Sequence, residues 1–109
     1  MKKLYVLELE DGCYYVGVTS DIKHRFESHM SGGGSEWTKL HKPLQKDKPM
    51  HVLEMGVSID NPFRLKLVDE ETVTFHLGDE KGWDKVRGGT WSQRVLPREP
   101  RKPKRLKYY

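Results

Sequence analysis

The Asp11-Gly12 dipeptide lies between two segments rich in β-forming residues, and this arrangement constrains the fold more than any other feature. Residues 2–10 alternate in the manner of a half-buried strand, with Tyr5 on the same side as two leucines. Residues 13–19 are rich in Tyr and Val and predict a second strand. Because Asp-Gly suits tight two-residue turns, the sequence predicts an antiparallel β-hairpin.

A helix is predicted directly after the hairpin. Ser20 or Asp21 can cap it, since a short side-chain oxygen accepts hydrogen bonds from amides that the first helical turn leaves unpaired. Arg25 and His29 are four residues apart, so they are expected side by side on this helix. The glycine-rich run at 31–35 ends the helix and predicts a flexible loop.

The second half of the chain carries weaker signals. Residues 37–40 predict a turn of helix, and residues 51–57 alternate well enough to add a third strand to the hairpin. Residues 63–81 are consistent with helical turns that Gly78 weakens, and residues 86–91 predict a compact turn. The chain is therefore expected to mix helices and strands.

Length and charge divide the chain into one domain and a tail. A chain of 109 residues suits a single core, which we assign to residues 1–93. The Pro-rich segment 94–109 holds seven Lys or Arg against Glu99, a charge of +6 against −2 for the rest. Such a tail gains affinity for a polyanion by releasing counterions. The alternative is a solubilising tail with no partner.

The single cysteine and the hydropathy pattern indicate an intracellular protein. Cys13 alone excludes an intramolecular disulfide and a thiolate zinc cluster. No apolar run approaches the length needed to cross a bilayer, and the first residues turn acidic where a signal peptide stays apolar. The expected location is the cytoplasm, or the nucleus in a eukaryote, with no membrane partner.

The order of several residues resembles the GIY-YIG nuclease family. The first half of that domain is similar to Leu4-Tyr5-Val6, Tyr14-Tyr15-Val16-Gly17, Thr19, Asp21, Arg25 and His29. The C-terminal half of a set of small stand-alone members is similar to Glu70, Thr74, Gly82, Asp84 and Val86-Arg87-Gly88-Gly89. The resemblance spans residues 3–92 and implies an α+β fold, a three-stranded antiparallel sheet flanked by helices.

The resemblance also implies a metal-dependent endonuclease that hydrolyses DNA phosphodiester bonds with one divalent cation, Mg²⁺ or Mn²⁺. Its implied catalytic residues are Tyr5, Tyr15, Arg25, His29 and Glu70, with Glu70 as the metal ligand. Elementary chemistry agrees with these roles. A carboxylate supplies the hard oxygen that these cations prefer, and a guanidinium neutralises phosphate charge as it builds.

The remaining roles concern the proton on the attacking water. Tyr5 is expected to act as general base or to position that water. Because a free phenol titrates near pH 10, a neighbouring cation must lower the pKa of Tyr5 considerably. Tyr15 or His29 then orients the water or completes the proton relay.

Each assignment has a structural alternative. The two tyrosines also suit ordinary packing across a hairpin, and Arg25 and His29 suit a solvated helix face. Asp69 and Glu71 flank Glu70, so the metal-binding carboxylate is uncertain by one position. Five such alternatives would have to coincide with the spacing of one family, which favours the nuclease interpretation.

Lys85 stands where many family members have an asparagine. Lys85 contacts phosphate, or Asp84 or Gln93 takes over the hydrogen bonds of that asparagine, or the change marks lost activity. The alternative function is therefore a weak or inactive module that binds DNA or a protein. Arg87 is interpreted as structural. The predicted DNA-contacting residues are Lys85, Arg94, Arg98, Arg101, Lys102, Lys104 and Arg105. The chain shows no second DNA-reading module, and we expect a monomer or weak homodimer.

Overall fold

The computed structural model of the protein describes residues 2–33, 35–57, 65 and 67–88. In chain order its elements are β1 (Lys3–Glu8), β2 (Tyr14–Thr19), α1 (Ile22–Met30), α2 (Glu36–Leu40), β3 (Met50–Leu53), β4 (Gly56–Val57), β5 (Leu67–Val68), α3 (Glu70–Lys81) and β6 (Val86–Gly88). The α+β class is confirmed. The tail at 94–109 and its predicted DNA contacts lie outside the described residues.

The predicted hairpin is confirmed. β1 and β2 are antiparallel, with Tyr5 opposite Gly17. The turn between them has Asp11 at φ 63° and Gly12 at φ 71°, the left-handed region that a tight turn requires. β3 pairs antiparallel with the other side of β1, so the third strand joins as predicted, although it ends at Leu53 and Gly56–Val57 pairs elsewhere.

A fourth strand extends the sheet, in the order β3-β1-β2-β6, and it runs parallel to β2. The predicted compact turn at 86–91 is therefore wrong for Val86–Gly88. Val86 is completely buried, and pairing with β2 lets it enter the core while its backbone stays hydrogen bonded. Three residues are too few for an alternation pattern to predict a strand.

The long C-terminal helix begins later than the predicted range of 63–81. Asp69 caps α3 by accepting from the Thr72 amide at 2.8 Å, and the Thr72 hydroxyl pairs with the Asp69 amide in return. Ahead of this cap, Leu67–Val68 is a short strand. The helix continues through Gly78, where a glycine is needed because a Cβ atom would collide with the Trp83 ring.

β1 is buried on both sides, not half-buried as its alternation predicts, because helices cover both faces of the sheet. The face that we call the α3 face packs under α3 and contains Leu4, Val6, Val16, Val68, Val73, Phe75, Leu77 and Val86. The opposite face, called the α1 face, packs under α1 and α2 and contains Tyr5, Leu7, Leu9, Cys13, Tyr15, Ile22, Trp37 and Met50. Among the described helices, none has the length and apolar character to span a membrane.

Candidate active site on the α1 face

The hydroxyl of Tyr5 lies at the centre of a buried hydrogen-bonded group. Its oxygen is 2.9 Å from Nε2 of His29, and Nε of Arg25 donates to it at 3.1 Å. Arg25 thus donates one hydrogen bond to this oxygen, and His29 forms a second hydrogen bond with it, whose direction depends on the tautomer of the imidazole. The side chains of Tyr5 and His29 are each about 1% exposed, so this arrangement is shielded from bulk water.

Gly17 allows the Tyr5 ring to reach this position. The two residues are directly opposite each other on β1 and β2. A Cβ atom on residue 17 would collide with the hydroxyl end of the Tyr5 ring, so no other residue fits without displacing that ring. The glycine of the Tyr14-Tyr15-Val16-Gly17 motif therefore has a direct steric function.

Tyr15 completes an aromatic cluster with Tyr5 and His29. The ring centroids of the two tyrosines are 6.3 Å apart, and each ring lies 5.6 Å from the imidazole of His29. Asp21 caps α1 by accepting from the His24 amide at 3.0 Å, which fixes the start of the helix that carries Arg25 and His29. The hairpin and α1 thus bring four of the five sequence-predicted residues together.

Burial sets the protonation states of this cluster. It raises the pKa of Tyr5, and the hydrogen bond from Arg25 only partly offsets the effect. The expectation that a neighbouring cation lowers this pKa considerably is wrong. Desolvation destabilises the phenolate more than the charge and hydrogen bond of Arg25 stabilise it. Burial, and then the charge of Arg25, lower the pKa of His29 from 6.5 to about 4. At neutral pH the cluster holds a neutral phenol and a neutral imidazole.

One ring nitrogen of His29 is paired and the other is not. Nε2 pairs with the Tyr5 hydroxyl, and which of the two donates depends on the tautomer of the imidazole. The other nitrogen, Nδ1, is buried and has no hydrogen-bond partner within the described residues. An unsatisfied buried polar nitrogen costs free energy, and its persistence at a site is typical of function rather than of packing alone.

Glu70 is the first residue of α3 and reaches the same region from the other side of the sheet. It is half-buried, and its charge raises the pKa of both Tyr5 and Tyr15. Burial, followed by the charge of Asp69, raises the pKa of Glu70 itself. Lys2 offsets this in part. A carboxylate in this setting gains from a cation.

The neighbouring carboxylate of Asp69 is committed to capping α3. Besides the Thr72 amide, it accepts from the Thr72 hydroxyl at 2.7 Å. No side chain in the described parts of the chain donates a hydrogen bond to Glu70 or forms an ion pair with it. Of these two acids, Glu70 is therefore the one whose oxygens remain available.

A metal cage made wholly of protein is absent from the residues described. Within them, no three His, Cys, Asp or Glu side chains are grouped so as to hold a metal ion. The donor set instead fits a cation bound through one carboxylate, with water and a substrate phosphate supplying the other ligands. Magnesium is commonly held in this way, so Glu70 fits the implied cation.

Lys85 and Arg87 lie outside the Tyr5 cluster. The Lys85 amino group donates at 3.1 Å to the carbonyl of Asp11, in the turn between β1 and β2. The buried Arg87 guanidinium stacks 4.3 Å from the ring of Trp37 and donates to the carbonyls of Trp83 and Val86. These contacts support a structural interpretation of Arg87.

Ser35 is a contributor that the sequence analysis missed. It caps α2 by accepting from the Thr38 amide at 3.2 Å, and it also lowers the pKa of Tyr15. A serine just after a glycine run and three residues before a Thr within a short helical segment is a capping signal. Its closeness to Tyr15 depends on how α2 packs, which no local pattern encodes.

Comparison with known proteins agrees with this geometry. The profile of the GIY-YIG catalytic domain matches residues 1–63. The chain belongs to the GIY-YIG family. The matched segment holds the hairpin and α1, and therefore Tyr5, Tyr15, Arg25 and His29. GIY-YIG is a family of nucleases, so the resemblance drawn from the signature residues is confirmed.

Relatives of the chain include small bacterial GIY-YIG proteins. A UPF0213 protein of Xanthomonas campestris is 43% identical over 42 residues, which cover 38% of this chain and 41% of the relative. A UPF0213 protein of Streptococcus pneumoniae is also 43% identical over 42 residues, with coverage of 38% and 42%. One from Fusobacterium nucleatum is 42% identical over 45 residues, with coverage of 41% and 45%.

These matches span less than half of each relative's length. No solved structure matches the chain. Glu70 and β6 also lie beyond the segment that the family profile covers. The effect of the Glu70 charge on the pKa of the two tyrosines therefore rests on the structure of this chain alone.

Proposed function

We propose that the protein is a metal-dependent endonuclease that hydrolyses phosphodiester bonds of DNA. The observation that carries this proposal is the Tyr5 hydroxyl, held 2.9 Å from His29 and 3.1 Å from Arg25 in a buried cluster. Ordinary packing does not require a buried phenol to be bracketed by an arginine and a neutral histidine. Hydrolysis does require a proton acceptor beside a group that neutralises phosphate charge.

Tyr5 is proposed to relay a proton rather than to act as a resident phenolate. Its raised pKa keeps the phenol protonated at neutral pH. As the attacking water loses a proton to the Tyr5 oxygen, the phenol's own proton passes to Nε2 of His29. The oxygen of the water then bonds to phosphorus, the bond from phosphorus to the leaving oxygen breaks, and the leaving oxygen takes up a proton from solvent. The proton on His29 returns to solvent, which restores the starting state.

Substrate binding favours this transfer. The charge of Arg25 is one of the two causes that lower the pKa of His29. A phosphate that pairs with Arg25 neutralises this charge and raises the pKa of His29, which makes the imidazole a better acceptor. The unpaired Nδ1 of His29, which bears the ring proton in this relay, is then suited to donate to an oxygen of substrate or water.

Glu70 would hold the divalent cation, Mg²⁺ or Mn²⁺, through its available carboxylate oxygens. When bound, such a cation supplies a Lewis acid that stabilises charge on the phosphate oxygens. Arg25 would grip the same phosphate, and Tyr15 would orient the attacking water beside Tyr5. Lys85 and the basic residues of the tail are proposed to add contacts with the DNA backbone.

The test is a cleavage assay on labelled duplex, single-stranded and branched DNA, with Mg²⁺ or Mn²⁺ and with EDTA. We expect metal-dependent cleavage that Glu70→Gln abolishes. Asp69→Asn is the matched control, because it also removes one negative charge but keeps the side-chain oxygen that caps α3, so it should retain both the fold and cleavage. Folded protein that leaves every substrate intact with either metal would refute the nuclease proposal.

A second candidate function is DNA binding without cleavage. It is favoured by Lys85, whose amino group donates to the Asp11 carbonyl in the β1–β2 turn and adds no polar group to the Tyr5 cluster. Salt-sensitive DNA binding together with no cleavage would support it. In that case Glu70→Gln should strengthen binding slightly, because it removes a negative charge and no catalysis is lost.

A further inference from the structure

An open groove of about 470 Å³ lies between α1 and the segment at 46–52. We call it the α1–β3 groove. Its apolar wall is formed by Ile22 and Phe26 of α1 and by Met50 and Val52 of β3. The volume falls within the range of roughly 300–1,000 Å³ that is common for small-molecule sites. It is thus large enough for a planar group.

The groove adjoins the candidate active site. Phe26 directly follows Arg25 on α1, and Val52 is the residue paired with Tyr5 across β1 and β3. Neighbouring strands lie about 4.8 Å apart. When a phosphate of a DNA strand binds Arg25, a neighbouring nucleotide of the same strand would therefore lie in the groove.

The charge of the groove suits a phosphate backbone. It contains Lys23, Lys46 and Lys48 against the single acid Asp47, a net charge of +2. Lys46 is paired with Glu8 at 2.7 Å, whereas Lys23 and Lys48 form no ion pair within the residues that the structure describes. Two cations thus remain available to an anionic partner.

The backbone at Lys48 adopts a left-handed conformation. Its φ is +54°, a left-handed conformation that non-glycine residues adopt rarely. Such strain is concentrated at ligand-binding and catalytic segments. Here it occurs in an exposed lysine between Asp47 and Pro49, in the loop that leads into β3.

From these observations we infer that the α1–β3 groove binds an unstacked base of the DNA strand that is cut, with Phe26 as the stacking surface and Lys23 and Lys48 on the flanking phosphates. This inference rests on the proposed nuclease function. Binding of a single strand combines a cationic groove with an aromatic platform, and both are present here. The preferred substrate is then DNA with an unpaired segment at the cleavage position, not continuous duplex.

The inference is tested by equilibrium binding in EDTA, where cleavage cannot occur. The probe is a short fluorescein-labelled single strand, followed by fluorescence anisotropy with the full chain. We expect Phe26→Leu, which keeps an apolar side chain but removes the aromatic face, to weaken binding about tenfold. Lys48→Ala should weaken binding and reduce its salt dependence by roughly one phosphate contact, while Lys39→Ala on α2 should change neither.

A second probe separates the base from the backbone. The same strand made with abasic sites keeps every phosphate, so it should bind about tenfold more weakly to wild type and equally well to wild type and Phe26→Leu. Equal affinity of wild type for natural and abasic strands would show that only phosphates are bound and would overturn the inference. So would unchanged binding by Phe26→Leu, checked as folded by circular dichroism.

The two proposals fail in different ways. If Phe26→Leu loses affinity for a single strand but wild type shows no metal-dependent cleavage, base binding in the groove is supported and the nuclease proposal is refuted. Cleavage by wild type with no difference between natural and abasic strands in EDTA would uphold the nuclease and refute the groove.

Discussion

The two faces of the central sheet are equally well buried but differ in what they bury. The α3 face is mainly aliphatic and aromatic, with Leu4, Val16 and Val73 each at 0% exposure, and its buried Thr74 hydroxyl donates to a carbonyl of its own helix. The α1 face buries a phenol and an imidazole, with Arg25 bound to the phenol oxygen. Burial of apolar groups stabilises a fold, whereas burial of polar groups costs free energy that exact pairing only partly recovers. The α3 face thus contributes most to stability, while the α1 face contains the candidate active site.

This contrast predicts that changes on the α1 face affect activity more than stability. Tyr5→Phe removes the oxygen between His29 and Arg25 while keeping the ring that packs against Gly17. Cleavage should fall by about 10³-fold, and the free energy of unfolding by only about 1–2 kcal/mol. Single-turnover cleavage and urea unfolding measure the two quantities. A Tyr5→Phe protein that cuts at the wild-type rate would show that Tyr5 only packs.

The α1 face should also make stability depend on pH. His29 has a pKa of about 4 when folded and 6.5 when unfolded, so the unfolded chain binds more protons between these values. The stabilisation that the neutral His29 provides is complete above pH 6.5 and is lost as the pH falls. The loss in free energy of unfolding amounts to about 3 kcal/mol by pH 4. Urea unfolding of wild type and His29→Gln across this range measures it. A pH dependence identical in both proteins would contradict the buried neutral imidazole.

On the α3 face the opposite result is expected. Val73→Ala removes buried methyl groups from a site with 0% exposure and should lower the free energy of unfolding by about 2–3 kcal/mol. Cleavage per folded molecule should stay at the wild-type level. Val57→Ala, the same change at a side chain that is 84% exposed, is the matched control and should alter stability little. A larger loss of activity than of stability in Val73→Ala would contradict this division between the faces.

The smallest effect is expected from Arg87, a structural residue on the catalytic side of the sheet. Arg87→Lys keeps the charge but loses the planar stack on Trp37, at a cost of about 1 kcal/mol in unfolding. Cleavage should be unchanged once the folded fraction is taken into account. Loss of cleavage in a fully folded Arg87→Lys protein would show that Arg87 of β6 takes part in the reaction and is not only structural.

Local patterns predicted the parts of this molecule that depend on neighbours in sequence. The Asp11-Gly12 turn, the cap at Ser20 or Asp21, which the structure places at Asp21, and the pairing of Arg25 with His29 on one helix each depend on residues close in sequence. Resemblance to the family then placed Tyr5 and Tyr15 with them, and the structure brings these four residues together.

Features that depend on distant segments were not predicted. β6 has too few residues to show alternation and becomes a strand only because β2 provides a parallel partner. The raised pKa of Tyr5 results from burial under α1, which outweighs the cation that the sequence places nearby. The α1–β3 groove combines residues 22–26 with residues 46–52, and no single motif spans both.

The contact between Tyr5 and Gly17 makes the geometry of the candidate site depend on correct strand pairing. A shift of β1 against β2 by one residue would bring Val16 or Val18 beneath the phenol, and either branched side chain would displace the ring. A chain with the wrong strand register therefore cannot place the Tyr5 hydroxyl between His29 and Arg25. On the proposed function, only molecules with the native strand alignment would cleave DNA.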